Sequence, residues 1–110
     1  MPRVTSIQEI FEQIDEGFNP AKAEDVDAVF QFNLTGDNGG QYWIKVANQQ
    51  AEVHEGAHDA PTMTITATAE NYIAVVNGDL NAMMAFMQGK VKVKGDMGLA
   101  LKLQAMFGIG

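Results

Sequence analysis

From residue 27 onward, apolar and polar side chains alternate in short runs, and the first run is the clearest. In "DAVFQFNLT", Ala28, Phe30, Phe32 and Leu34 alternate with Val29, Gln31, Asn33 and Thr35, the period-two pattern of a half-buried strand. "GDNGG" marks a turn. In "QYWIKVA", Tyr42, Ile44 and Val46 then alternate with Gln41, Trp43 and Lys45. "NQQ" is a second turn and "AEVHE" a shorter, more polar strand. Beyond the loop "GAHDAP", Met63, Ile65 and Ala67 alternate with threonines in "TMTITAT". Strands that follow one another across short connections predict consecutive hairpins, and so a largely antiparallel sheet.

Helical spacing brackets these strands. Ser6 and Glu9 form an S-x-x-E capping box ahead of Ile7, Ile10, Phe11, Ile14 and Phe18, which predicts an amphipathic helix over 7–16. Gly17 and Pro20 stop it, and "AKAEDVD" reads as a charged connection. Thr68 caps a predicted helix from Ala69 to Asn77 that Gly78 closes. Asp79 caps another from Leu80 to Gln88 that Gly89 closes. "KVKVKG" is a last strand, with Val91 and Val93 on one face and Lys90, Lys92 and Lys94 on the other. Asp96 caps a final helix. This order predicts a single α+β domain, a five-stranded mostly antiparallel sheet covered by helices on one face. One domain suits 110 residues.

The last helices are more apolar than such a domain needs. Between Met97 and Phe107 only Lys102 and Gln104 are strongly polar, and in "LNAMMAFMQ" only Asn81 and Gln88 are. A surface helix needs one apolar stripe. Apart from Met1, every methionine lies beyond residue 62: Met63, Met83, Met84, Met87, Met97 and Met106. Methionine adapts to varied apolar partners. The second face can be deeply buried, can form an exposed patch for a partner protein, or can wall a cavity for an apolar ligand. Deep burial is strained in so small a chain, where few positions are covered on every side.

Charge and chemistry narrow the function. The net charge of −7 argues against nucleic acid, whose phosphates need a basic surface. The acids crowd residues 1–70, whereas residues 71–110 carry Lys90, Lys92, Lys94 and Lys102 against Asp79 and Asp96. There is no cysteine, and the single serine, Ser6, is a helix cap, so no nucleophile is in place for catalysis. His54 and His58 sit on a strand and in a loop rather than on one helical face, and read as solvated rather than as metal ligands. "GDNGG" lacks the lysine and the following helix of a phosphate cradle. No catalytic residue, metal or cofactor is expected. No apolar run spans a bilayer, and the opening "MPRVTSIQEI" has no signal-peptide core. A reduced, cytoplasmic setting is the default expectation.

"FMQGKVKVKGDMGLALKLQ" resembles the C-terminal signature of the sterol carrier protein type-2 domain family. That signature is a helix end bearing an aromatic residue and glutamine, then Gly-Lys-x-Lys, an apolar residue and Gly-Asp, then an apolar helix closing on Lys-apolar-Gln. The similarity continues upstream through "PTMTITATAENYIAVVNGDLNAM" and "GGQYWIKV", from about residue 7 to residue 107. It implies a non-catalytic lipid carrier, and the short chain leads to the expectation of a free-standing member of bacterial type. Such a carrier holds fatty acid, fatty acyl-CoA, sterol or phospholipid in an apolar tunnel between sheet and helices.

The resemblance also implies site residues. Tyr72, Val75, Val76, Leu80, Met83, Met84, Phe86, Met87, Met97, Leu101, Met106 and Phe107 correspond to tunnel positions. Gln88 and Gln104 correspond to glutamines that meet the ligand's polar end. Trp43 matches a strand tryptophan and on that match faces the tunnel, whereas strand parity sets it opposite Tyr42, Ile44 and Val46, on the far side of the sheet and under the first helix; both readings stay open. Lys90, Lys92 and Lys94 are either a solvated edge strand or a contact for anionic headgroups or acyl-CoA phosphates during transient membrane docking. The chain departs from the family in its acidity and in its ending "AMFGIG", which lacks a peroxisomal address. The competing function is a protein-interaction or homodimerisation module built on the apolar C-terminal helices. Both readings allow a monomer or a homodimer.

Overall fold

A computed structural model of the chain describes residues 3–108. Its elements are α1 (Ile7–Gln13), β1 (Ala28–Thr35), β2 (Gly40–Ala47), β3 (Gln50–Glu55), β4 (Met63–Thr68), α2 (Ala69–Asn77), α3 (Ala82–Met87), β5 (Val91–Lys94) and α4 (Met97–Phe107), with 3₁₀ turns at Ile14–Gly17 and Pro20–Ala23. The five strands form one sheet in the order β3-β2-β1-β4-β5. β1–β2, β2–β3 and β4–β5 pair antiparallel, while β1–β4 pair parallel, with Phe30 opposite Met63 and Leu34 opposite Ala67.

The expected run of hairpins therefore fails at one joint. β3 does not turn back into β4. Residues 56–62 carry the chain across the outer face of the sheet to the far side of β1. Gln31 holds this crossing: its Nε2 donates to the Gly56 carbonyl at 3.2 Å and its Oε1 accepts from the His58 N–H at 2.8 Å. The Thr62 N–H then donates to Val29 O at 2.9 Å. The crossing corrects a second expectation. β1 is not half-buried, because Val29 and Gln31 lie covered on the outer side while Phe30, Phe32 and Leu34 are covered by the helices. Gln31 is a buried polar side chain with both ends of its amide satisfied, as burial demands.

The four helices share the inner face. Phe11 of α1 meets Phe32 edge-on at 5.1 Å and stacks on Tyr42 at 4.2 Å, and Tyr72 of α2 meets Phe32 at 5.7 Å. α1 starts as expected: the Ser6 hydroxyl accepts from Glu9 N–H and Glu9 reaches back to Thr5 N–H. It stops at Gln13, short of the predicted 16, and tightens into a 3₁₀ turn. The charged connection holds a second such turn, begun by Asn19 and Pro20. α2 has the predicted bounds, with Thr68 as cap and Gly78 left-handed at φ 81°.

α3 begins two residues late, with Asn81 and not Asp79 as its cap. The N–H groups of Asp79 and Leu80 both donate to Ala74 O, so these residues are still closing α2 and cannot start a new helix. The Asp79 carboxylate instead pairs with the Arg3 guanidinium. That partner raises the arginine and holds the aspartate below its ordinary range. α4 starts on the Asp96 cap and is fastened at its far end. Asn19 N–H donates to Met106 O at 2.7 Å, and the Phe18 and Phe107 rings lie 5.2 Å apart. A Cβ on Gly17 would come within 2.8 Å of Phe107 O, so this close approach requires glycine. Among the described residues the first turns of α4 make no such backbone hydrogen bond to another element, and Met97 and Leu101 there are exposed.

Candidate functional site: an apolar cavity beneath the last helices

The edge pairing of β5 builds the floor of a cavity. Ile65 stands opposite Val93 and Ala67 opposite Val91, so alternation turns both valines inward. Ile65, Val91 and Val93 form the floor, and Tyr72 and Val75 of α2 the back. Ala82, Met83 and Phe86 of α3 make one wall. Met97, Ala100, Leu101, Leu103 and Gln104 of α4 make the other. The void is about 70 Å³. Small side chains at Ala82 and Ala100 leave the space. Only Tyr72 and Gln104 bring polar groups to the lining. Burial pushes the Tyr72 hydroxyl well above its ordinary range, so it stays a neutral phenol, able to donate a hydrogen bond. What lines the site is a pocket between sheet and helices; the expected tunnel is not seen as a through passage.

The structure sorts the expected site residues into four groups. Tyr72, Val75, Met83, Phe86, Met97, Leu101 and Gln104 line the cavity. Met106 and Phe107 do not: they are sealed in the core, because the fastened end of α4 packs on the 3₁₀ turns. Val76 and Leu80 pack on the outside of that core. Met84, Met87 and Gln88 are outside the lining and exposed, since a helix with only one packed face must turn its remaining positions outward. Ile65, Ala82, Val91, Val93, Ala100 and Leu103 line the cavity without having been singled out. For Val91 and Val93 the signal was present, as the apolar parity of a strand whose other face is lysine.

The lysines divide in the same way. Lys92 and Lys94 stand across from Thr66 and Thr64, facing away from the cavity. Lys90 precedes the strand at the foot of α3, its N–H donating to Ala85 O at 2.8 Å. The three do not form one face beside the cavity mouth, because Lys90 belongs to the turn and not to the extended strand.

Trp43 lies on the outer face, as parity predicts, but not under α1, which packs on the other side against Tyr42. His54 stacks on the indole at 4.2 Å and His58 meets it edge-on at 4.8 Å. Both histidines thus have an aromatic neighbour. Among the described residues no three His, Cys, Asp or Glu side chains cluster as a metal site, and no helix is long and apolar enough to cross a membrane. Because the sheet separates Trp43 from the cavity, its emission maximum is expected to stay fixed while the cavity fills. A titration with a non-fluorescent fatty acid checks this, and a clear saturable shift would contradict the placement.

A five-stranded mixed sheet carrying four helices around an apolar cavity defines a sterol-carrier-type α+β domain. The chain belongs to the SCP-2 sterol transfer family, whose profile matches residues 7–108. It is similar to hydroxysteroid dehydrogenase-like protein 2 of Xenopus laevis, 32% identical over 93% of this chain but only 25% of that protein. The chain thus spans about a quarter of the length of the curated relatives it matches. Among solved structures, it is similar to the sterol carrier protein domain 2 of Helicoverpa armigera, with 30% identity, a TM-score of 0.71, and 93% and 83% of the two chains covered. It is also similar to the palmitated sterol carrier protein 2 like 2 of Aedes aegypti, with 29% identity, a TM-score of 0.73, and 94% and 95% covered.

Proposed function

We propose that this chain is a non-catalytic carrier that shields the acyl chain of a fatty acid or related lipid between α2, α3, α4 and the β4–β5 edge, and releases it to a membrane or an enzyme. The observation that carries the reading is the cavity itself: thirteen lining residues, of which only Tyr72 and Gln104 are polar. A relative of the same fold is described in palmitated form. Burial of each methylene contributes about 0.8 kcal/mol, so a long chain reaches roughly micromolar affinity without a specific polar contact. Gln104, with an amide that both donates and accepts, and the Tyr72 phenol are the groups here for a carboxyl or hydroxyl end.

The empty void is too small for such a chain. An apolar cavity of about 150 Å³ takes only a benzene ring, and this one is about 70 Å³. Loading of a long chain then has α3 and the first turns of α4 part, and the exposure of Met83 and Leu101 supports an opening between them.

Extraction of the purified protein with organic solvent, followed by mass spectrometry, tests the reading. Co-purified fatty acid or phospholipid is expected, with saturable binding of a fluorescent fatty acid after delipidation. An empty protein that binds no fatty acid and runs as a dimer on a sizing column would instead support the interaction module.

A further inference from the structure

At the edge of the sheet opposite the cavity, β3 has β2 on one side and no strand on the other among the described residues. Lys45 pairs with Glu52 and Trp43 with His54, and the Gly56 N–H continues the ladder by donating to Gln41 O at 2.8 Å. Alternation along an antiparallel pair then gives the bonds to β2 to the even-numbered residues of β3. The N–H and C=O groups of Ala51, Val53 and Glu55 point away from the sheet. Such a row is a template for a further strand, and edges are ordinarily blunted by lysine, proline or a bulge. β3 reads QAEVHE in unbroken register and has none of these, whereas the opposite edge strand, β5, carries Lys92 and Lys94.

Beside this row lies a cleft of about 250 Å³. Gln8, Phe11 and Glu12, on one face of α1, make one wall, and Tyr42, Val53, His54 and Glu55 make the other. Val53 and Glu55 stand across from Ile44 and Tyr42, so their side chains turn to the side of the sheet that carries α1. Neighbouring strands lie about 4.8 Å apart, which sets the inward side chains of an added strand in this cleft. Its base is apolar, with Phe11 stacked on Tyr42 at 4.2 Å. Its rim is acidic. Burial, and then the charges of Glu55 and Glu12, push the Tyr42 hydroxyl above its ordinary range, so both carboxylates act on the same end of the ring. Glu12 accepts from Gln8 Nε2 at 3.0 Å, and neither glutamate has a cationic partner among the described residues. An apolar stem with a cationic head, as in lysine or arginine, matches such a place.

Charge selects the partner. Of the chain's 14 acids, only Asp96 lies beyond residue 79, so this edge stands in the acidic part of the chain. A second copy of β3 paired on it about a twofold axis would set Glu52 and Glu55 against acids of the same strand. We infer that the β3 edge takes up an extended basic segment of a partner protein as a further strand, its main chain bonding Ala51, Val53 and Glu55 and a lysine or arginine side chain lying over Phe11 and Tyr42 between Glu12 and Glu55. The strand site and the lipid cavity share no lining residue, so a partner can hold the protein while the cavity stays free. The inference goes beyond the carrier reading and does not depend on it.

Hydrogen exchange followed by NMR tests the pairing. The probe is an acetylated, amidated peptide of six residues, the length of β3, alternating threonine with lysine. It is expected to slow exchange at the outward amides of Ala51, Val53 and Glu55 and to leave those of β5 unchanged. The same peptide with glutamate in place of lysine is expected not to bind. Glu12→Gln and Glu55→Gln are each expected to weaken the lysine peptide about threefold. Val53→Pro removes an outward N–H and no bond to β2, and is expected to abolish the protection of Ala51 and Glu55. Val53 is outside the lipid cavity, so this variant keeps its affinity for a fluorescent fatty acid, and circular dichroism checks its fold. Binding that leaves the three amides unprotected, or that both glutamine variants and Val53→Pro spare, overturns the inference as general attraction to an acidic surface. Protection of the three amides in the protein alone, rising with its concentration and accompanied by a dimer on a sizing column, also overturns it, in favour of a second copy. Peptide-dependent protection in a protein that binds no fatty acid upholds the strand site and removes the carrier.

Discussion

Ala100→Phe is expected to weaken fatty-acid binding by about a hundredfold and to leave the fold in place. Ala100 is one of the two small side chains that leave the cavity open. A phenyl ring there takes the space of roughly four methylenes. At about 0.8 kcal/mol each, the loss is near 3 kcal/mol, which is the hundredfold. Overpacking a rigid core costs about 1–3 kcal/mol, but among the described residues the first turns of α4 make no backbone hydrogen bond to another element and yield, so the stability cost falls at the low end. Displacement of a fluorescent fatty acid gives the affinity, and a thermal melt the stability. An unchanged affinity in a folded variant would move the ligand elsewhere, the cleft of about 250 Å³ beside Phe11, Tyr42, Val53 and His54 being the next candidate.

Phe32→Ala is expected to cost about 3–5 kcal/mol of stability, a large share of the roughly 5–15 kcal/mol that holds a domain together. Phe32 is fully buried on the central strand and makes edge contacts with Phe11 of α1 and Tyr72 of α2. Its removal opens a cavity where two helices and the sheet meet. The melting temperature is expected to fall by about 15 °C or more. Met87→Ala, at the most exposed of the large apolar positions, serves as the contrast, with a change of about 0.5 kcal/mol or less. A Phe32→Ala protein that melts within a few degrees of wild type would show that the three rings do not join the helices to the sheet.

The excess of apolar residues after residue 78 has three destinations, of which the core, with Met106 and Phe107, is one. Met83, Phe86, Met97 and Leu101 line the cavity and are exposed as well, so they form its rim. Met84 and Met87 face outward only. Sequence spacing shows that a helix carries too many apolar positions for one stripe. It does not tell lining from surface, because that depends on which side the neighbouring element occupies.

The local signals in the chain alone were enough for the strands, for α2 and α4 with their N-caps, and for setting the β5 valines on the face opposite the lysines. Side-chain period and capping chemistry act within a few residues and are complete in the sequence. The family signature over residues 86–104 likewise pointed to the fold and to a lipid-carrying role. Tertiary structure alone decided the parallel β1–β4 pairing, since the crossing of residues 56–62 depends on Gln31 meeting Gly56 and His58 across the sheet. It also decided that Asp79 closes α2 and pairs with Arg3, because Gly78 turns the next two N–H groups back to Ala74. It sealed Met106 and Phe107 in the core while leaving Met97 and Leu101 exposed at the cavity: one helix, uniformly apolar in sequence, is fastened at its end by Asn19 and Gly17 and held at its start by the packing of Leu99 and Ala100. Those contacts join residues far apart along the chain, and no periodicity within α4 encodes them.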